Sequence, residues 1–283
     1  MNRAGVLGSP VAHSLSPTLH CAGYAALGLS DWSYAAQRVE AAGLPGHVAA
    51  LDPSWRGLSL TMPLKEVAFE VAVTVSAVAV EAGAINTLVR RSDGQWAGDN
   101  TDVVGLARAL EGTDHGGAAT VLGAGATARS AVLALRSLGV RDVAVAARRP
   151  EAAAALADWA DRLVGGPVRV TGHPLDRWVE VSRGLVVSTL PPGPSPAVAG
   201  CLDEAGSSVA GATLLDVVYA DWPTPLARAA AARGMRVVSG LDMLVYQAAE
   251  QFRLFTVHDA PLAAMLEAGR AELAQRSSLA HDG

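Results

Sequence analysis

Along the chain, short apolar runs at strand spacing alternate with longer segments at helical spacing, the pattern of a sheet with helices packed on its faces. In the first hundred residues this pattern predicts strands over 3–8, 33–39, 57–61 and 84–90, and Ser92, Asp93 and Gly94 supply turn chemistry for a hairpin into 95–97. Helices are predicted over 17–27, with Ser16 as N-cap, and from Leu64 to about Ala72. Residues 71–80 pull two ways. Their β-branched residues favour a strand, whereas the spacing and Glu81-Ala82-Gly83 favour a buried helix ending at a glycine, and helix is the expectation. A second series begins near Ala118, with strands over 118–122, 142–147, 168–171, 184–188, 213–217 and 236–238. Helices over 126–138, 151–163 and 225–233 lie between them. The proline-rich run from Pro191 to Pro196 reads as a loop, and two helices, 241–255 and 261–275, follow.

Composition narrows the class. A chain of 283 residues, 51% hydrophobic, has material for two domains with their own cores. Its net charge of −5 carries no basic run, which argues against nucleic acid or an anionic membrane surface as partner. The first apolar stretch breaks at Ser9-Pro10, too soon for a signal peptide or a membrane span. Cys21 and Cys201 stand far apart, as buried thiols in a reducing cytoplasm would, and the seven histidines form no metal-like pair, so no metal site is expected. One bias bears on chemistry. Of 22 lysines and arginines only Lys65 is a lysine, and an ammonium can cycle a proton where a guanidinium cannot.

The clearest motif is Gly123-Ala124-Gly125-Ala126-Thr127-Ala128, a G-x-G-x-x-A run between a predicted strand and a predicted helix. Gly123 permits the tight turn and Gly125 lets backbone approach a pyrophosphate. Ala126 opens the helix whose N-terminus faces the phosphates, and Ala128 keeps that helix close to the sheet. About twenty residues on, an NAD site would place an acid against the ribose 2′-hydroxyl. This chain instead places Arg148 and Arg149 there, guanidinium groups suited to a 2′-phosphate, so the expected cofactor is NADP.

Polar residues cluster at strand ends in the first half: Ser14 and Ser16, then Ser59, Thr61 and Lys65, then Asn86, then Asn100-Thr101-Asp102. Each has an ordinary reading, Ser16 and Asp102 as helix caps and Lys65 as a surface residue. Together, the segments Gly8–Pro17, Leu60–Lys65, Gly83–Thr87 and Gly98–Asp102 resemble the shikimate dehydrogenase family. The resemblance continues through the Gly123 motif, Asp216-Val217-Val218-Tyr219 and Gly240-Leu241-Asp242-Met243-Leu244 to Gln247, so it spans almost the whole chain. It implies that Ser14 and Ser16 hold a substrate carboxylate, and that Thr61, Asn86 and Gln247 bind ring hydroxyls. Lys65 and Asp102 are then the catalytic pair, flanking the hydroxyl or carbonyl being interconverted. Ser188, Val217, Tyr219 and Gly240 fill out the cofactor site beside Gly123, Gly125, Ala126, Ala128, Arg148 and Arg149. Two departures stand out: the family usually has asparagine where this chain has Ser59, and an Asn-Arg-Thr/Ser-type run where it has Ala147-Arg148-Arg149.

The expectation is therefore a two-domain α/β cytoplasmic enzyme, monomer or homodimer. Residues 1–101 with 241–283 form the substrate domain, to which the C-terminal helices return, and 102–240 form the Rossmann NADP-binding domain, with the active site in the cleft between them. The reaction implied is the reversible, NADPH-dependent reduction of 3-dehydroshikimate to shikimate. A quinate or aminoshikimate dehydrogenase of the same family is the alternative. A non-catalytic NADP- or shikimate-binding regulator is disfavoured because binding alone requires no proton-transfer pair.

Overall fold

The computed structural model describes residues 1–163, 168–204 and 209–281. The chain divides into two compact units, Met1–Gly105 with Leu244–Gly283, and Leu106–Met243, the divisions falling inside the helices Asp102–Ala109 and Gly240–Thr256.

The first unit holds six strands: β1 (Asn2–Gly8), β2 (Trp32–Arg38), β3 (Trp55–Leu60), β4 (Ala72–Val75), β5 (Thr87–Arg90) and β6 (Trp96–Asp99). Their order is β2-β1-β3-β5-β6-β4, and the sheet is mixed. β1 pairs in parallel with β2 and β3, β5 runs antiparallel to both β3 and β6, and β4 lies parallel to β6. The hairpin forms as expected, with Gly94 at φ +84° and Asp93 accepting from the Gln95 amide. Residues 71–80 correct the helix expectation. Their β-branched half becomes β4, and the helix is confined to Ala77–Ala82, capped by Ser76 and ended by Gly83 at φ +59°. Ser16 likewise begins the helix Ser16–Ala26 instead of capping it, since Leu15 occupies the N-cap position. The helix expected from Leu64 is short, Leu64–Val67 followed by a 3₁₀ turn.

The long helix Gly240–Thr256 belongs to this unit from Leu244 onward because its aromatic side chains fill gaps left by glycines. Phe252 and Phe255 are buried, and a Cβ at Gly23 would lie 2.8 Å from the Phe252 ring. Each such side chain contributes about 1.5–3 kcal/mol of burial, enough to anchor the helix.

The second unit holds β7 (Ala118–Leu122), β8 (Asp142–Ala147), β9 (Arg169–Pro174), β10 (Leu185–Ser188), β11 (Thr213–Asp216) and β12 (Arg236–Ser239). All pairings are parallel and the order is β12-β11-β10-β7-β8-β9, a doubly wound Rossmann sheet whose order reverses between β7 and β10. The proline run is a loop only to Pro194; a helix, Ser195–Glu204, starts inside it, with Pro196 in the first turn where a missing N–H costs nothing.

Candidate active site

In the first unit the strand ends gather the polar residues. The loop after β1 carries Ser14, whose hydroxyl accepts from the Ser16 amide at 3.2 Å, and the Ser16 side chain is buried against Tyr34. After β3 come Thr61 and Lys65. Backbone bonds lock these segments together: Leu60 N–H to Asn86 O (2.7 Å), Ile85 N–H to Lys65 O (2.8 Å) and Asn86 N–H to Asp99 O (3.1 Å). Asp102 opens its helix, and Asn100 accepts from the Asp102 and Val103 amides (3.1 and 3.4 Å), so Asn100 is the cap and the Asp102 carboxylate is left for other work.

That carboxylate is the centre of the site. Lys65 Nζ lies 2.6 Å from Asp102 Oδ2, with the two side chains only 17% and 7% exposed, so solvent screens the pair weakly. Asn86 Nδ2 donates to the second oxygen, Oδ1, at 2.8 Å. The Asn86 carbonyl oxygen accepts from the Thr101 amide and the Thr87 hydroxyl, both at 2.8 Å, which fixes which way the amide faces. Gln247 sits beside this group, its Oε1 3.4 Å from the Thr101 hydroxyl. Lys65, Asp102, Asn86 and Gln247 thus share one hydrogen-bonded neighbourhood; Ser14 lies in the loop after β1, Ser16 opens the helix that follows it, and Thr61 directly follows β3.

Three residues of this neighbourhood, Thr87, Gln251 and Tyr34, have no role in the sequence reading. Gln251 is 1% exposed and bonds to Ser59, Thr87 and the main-chain carbonyl of Asn86. Its signal was its place four residues after Gln247, on the same helix face. Tyr34 donates to Ser59 Oγ at 2.6 Å. Ser59, the departure from the family pattern, is therefore engaged inward.

The second unit carries the glycine motif at the sheet's switch point. Gly123 adopts φ +105°, and a Cβ there would sit 2.6 Å from Thr189 Oγ1. Gly125 is the N-cap of the helix Ala126–Ser137, and nothing lies within 4 Å of where its Cβ would be, so bare backbone faces open space. A cavity of about 950 Å³ is lined by Gly123, Gly125, Arg148, Arg149, Asp176 and Cys201, among others. Both arginines are exposed. This donor set fits a pyrophosphate on the helix N-terminus and a further phosphate on the guanidinium groups. Ala128 is buried in the helix packed on the sheet.

Of the remaining positions, Ser188 is buried and bonds to Asp216, a carboxyl pushed above its usual range by burial. Asp216 also accepts from the Thr224 hydroxyl at 2.7 Å and the Val218 amide at 3.3 Å, fastening the segment that carries Val217 and Tyr219. Gly240 is buried where a Cβ would strike the backbone of Val217. Among the described residues no cluster of histidine, cysteine or acidic side chains is arranged to hold a metal ion, and no helix is long and apolar enough to cross a membrane.

Comparison with known proteins bears on both units. Residues 6–88 match the family model described as the shikimate dehydrogenase substrate binding domain, and 240–268 match that of the shikimate 5′-dehydrogenase C-terminal domain. A shikimate dehydrogenase (NADP(+)) of a Synechococcus strain is 36% identical over 96% of this chain and 94% of its own length. The crystal structure of Mycobacterium tuberculosis shikimate dehydrogenase is similar at 44% identity and a TM-score of 0.84, covering 96% of this chain and 99% of that one. The Thermus thermophilus shikimate 5-dehydrogenase in complex with NADP(H) and shikimate is similar at 35% identity and a TM-score of 0.82, with 96% and 99% covered.

Proposed function

The chain belongs to the shikimate dehydrogenase family, and from that premise we propose how its residues carry out the reaction. The protein is an NADP-dependent oxidoreductase that reversibly reduces 3-dehydroshikimate to shikimate, a step of aromatic amino-acid biosynthesis. Bound NADPH supplies the hydride. What the chain must supply is a proton at the carbonyl oxygen, and the half-buried Lys65–Asp102 contact of 2.6 Å carries the assignment of that role. Lys65 faces the oxygen on which negative charge develops and stabilises it. Asp102 keeps Lys65 in place and exchanges the proton with it. In the oxidative direction the same pair takes the proton from the shikimate hydroxyl.

Ser14 and Ser16 hold the substrate carboxylate, and Thr61, Asn86 and Gln247 orient the ring hydroxyls. In the cofactor domain the amides around Gly123, Gly125 and Ala126 take the pyrophosphate, Ala128 lets that helix approach, and Arg148 and Arg149 take the 2′-phosphate. Ser188, Val217, Tyr219 and Gly240 support the nicotinamide end. The unit that carries Lys65, Asp102 and Gln247 serves the substrate, and the unit that carries the glycine motif serves the cofactor. The same reading has the enzyme in the cytoplasm as a monomer or homodimer, which cell fractionation and size-exclusion chromatography test.

The functional test follows nicotinamide absorbance with shikimate or quinate paired with NADP⁺ or NAD⁺. Rapid reduction only with shikimate and NADP⁺ is expected. Preference for quinate contradicts the substrate assignment, and equal use of NAD⁺ contradicts the roles of Arg148 and Arg149.

A further inference from the structure

Behind Asp102 a row of buried polar side chains runs into the first unit's core. Tyr34 donates to Ser59 Oγ at 2.6 Å, and Ser59 donates to Gln251 Oε1 at 2.7 Å. Gln251 Nε2 donates to Thr87 Oγ1 at 3.0 Å, and Thr87 donates to Asn86 Oδ1 at 2.8 Å. Asn86 Nδ2 donates to Asp102 Oδ1 at 2.8 Å, and Lys65 takes the other carboxylate oxygen. Every donor in the row meets an acceptor: reversing the Asn86 amide would set its nitrogen against the Thr101 N–H and its oxygen against the Asp102 carboxylate, and reversing Gln251 would set its oxygen against the Asn86 main-chain carbonyl. Tyr34, Ser59, Gln251, Thr87, Asn86 and Asp102 are all buried, which shields the pattern from bulk solvent. The register of the sheet holds it too, since Ser59 pairs with Thr87 across β3 and β5.

We propose that Thr87 and Gln251 are positioning residues for proton transfer. Together with the Thr101 amide, which donates to the same oxygen, they fix the direction of the Asn86 amide, so that its nitrogen rather than its oxygen faces Asp102 and the carboxylate presents a single oxygen to Lys65. The inference rests on the reading of Lys65 and Asp102 as the proton-transfer pair. Its chemistry is simple. A carboxylate beside an amide oxygen is repelled and turns away, whereas one beside an amide N–H is held. Ser59 belongs to the same row, which gives the departure at that position a use: its short hydroxyl joins Tyr34 to Gln251.

Packing and hydrogen-bond direction make opposite forecasts at residue 87, which separates them. Thr87→Val keeps the volume and loses the hydroxyl; Thr87→Ser keeps the hydroxyl and leaves a methyl-sized gap. If the residue only fills space, serine is the worse variant. If it orients Asn86, valine lowers kcat about tenfold with KM for shikimate and for NADP⁺ within twofold, and serine restores kcat to within about twofold of the parent. Should Thr87→Val fail to fold, Gln251→Met is measured for the same split of kcat from KM. Parental kcat in the folded valine or methionine variant, or serine as impaired as valine, overturns the inference. Lys65→Ala is assayed alongside. If it is inactive while Thr87→Val turns over normally, only the row is refuted; if it turns over normally, the pair and the row both fall.

Discussion

The two functional regions of this chain are built by opposite means. The neighbourhood proposed for proton transfer in the first unit is made of buried and half-buried side chains whose hydrogen bonds fix one another, with Asp102 engaged on both oxygens. The cavity proposed for the cofactor in the second unit is made largely of backbone and small residues, with Arg148 and Arg149 exposed at its wall. A region of the first kind loses function when one polar group is changed, because its neighbours are left buried and unmatched. A region of the second kind loses affinity by degrees.

The largest effect should come from breaking the first. Asp102→Asn keeps the shape but cannot accept a proton from Lys65, and its own amide N–H groups oppose Lys65 or Asn86. Turnover should fall about two to four orders of magnitude, the scale for losing an acid–base group, with little change in NADP⁺ binding measured by fluorescence titration. Normal turnover would show that the two regions do not differ in this way. Changing both Arg148 and Arg149 to alanine should raise KM for NADP⁺ about ten- to a hundredfold, from lost charge-assisted bonds. KM for NAD⁺ and kcat at saturation should stay nearly unchanged, and a collapse of kcat would blur the contrast.

A smaller effect concerns stability. His20 is wholly buried, stacked on Tyr34 with ring centroids 4.1 Å apart, and burial pulls its pKa down to about 3. The unfolded chain binds that proton near pH 6.5, so stability rises with pH between about 3 and 6.5 and is lost as pH falls through that window. From pH 7.5 to 5 the loss should be about 2 kcal/mol, read by urea denaturation at each pH. His20→Phe should flatten that slope, and an unchanged slope would assign the acid sensitivity elsewhere.

The same contrast explains what could be read without a structure. The cofactor region is periodic: the strand ending at Leu122 and the helix beginning at Ala126 sit where the glycine spacing puts them, because one local rule governs turn, backbone approach and helix start. The proton-transfer region is assembled from segments remote in sequence. Its lysine stands out by composition, Asn86 and Asp102 stand out as polar residues at strand ends, and their roles come through resemblance. Thr87 and Gln251 were passed over because a threonine in a strand and a glutamine in a helix are ordinary; only their donor and acceptor order gives them meaning. The error at residues 71–80 has a similar origin. Val73, Thr74 and Val75 suit either structure, and pairing with β6, formed more than twenty residues later, decides for strand.

The central claim is that Lys65 and Asp102 move the proton, and Lys65 tests it most directly. Lys65→Ala and Lys65→Arg should be compared with the parent by shikimate-dependent reduction of NADP⁺, after circular dichroism shows both folded and titration shows NADP⁺ bound. Both should lose about two to four orders of magnitude in turnover, arginine included, because a guanidinium keeps the charge but does not release its proton. Parental turnover in folded Lys65→Ala would contradict the account, and full activity in Lys65→Arg would reduce Lys65 to a fixed charge.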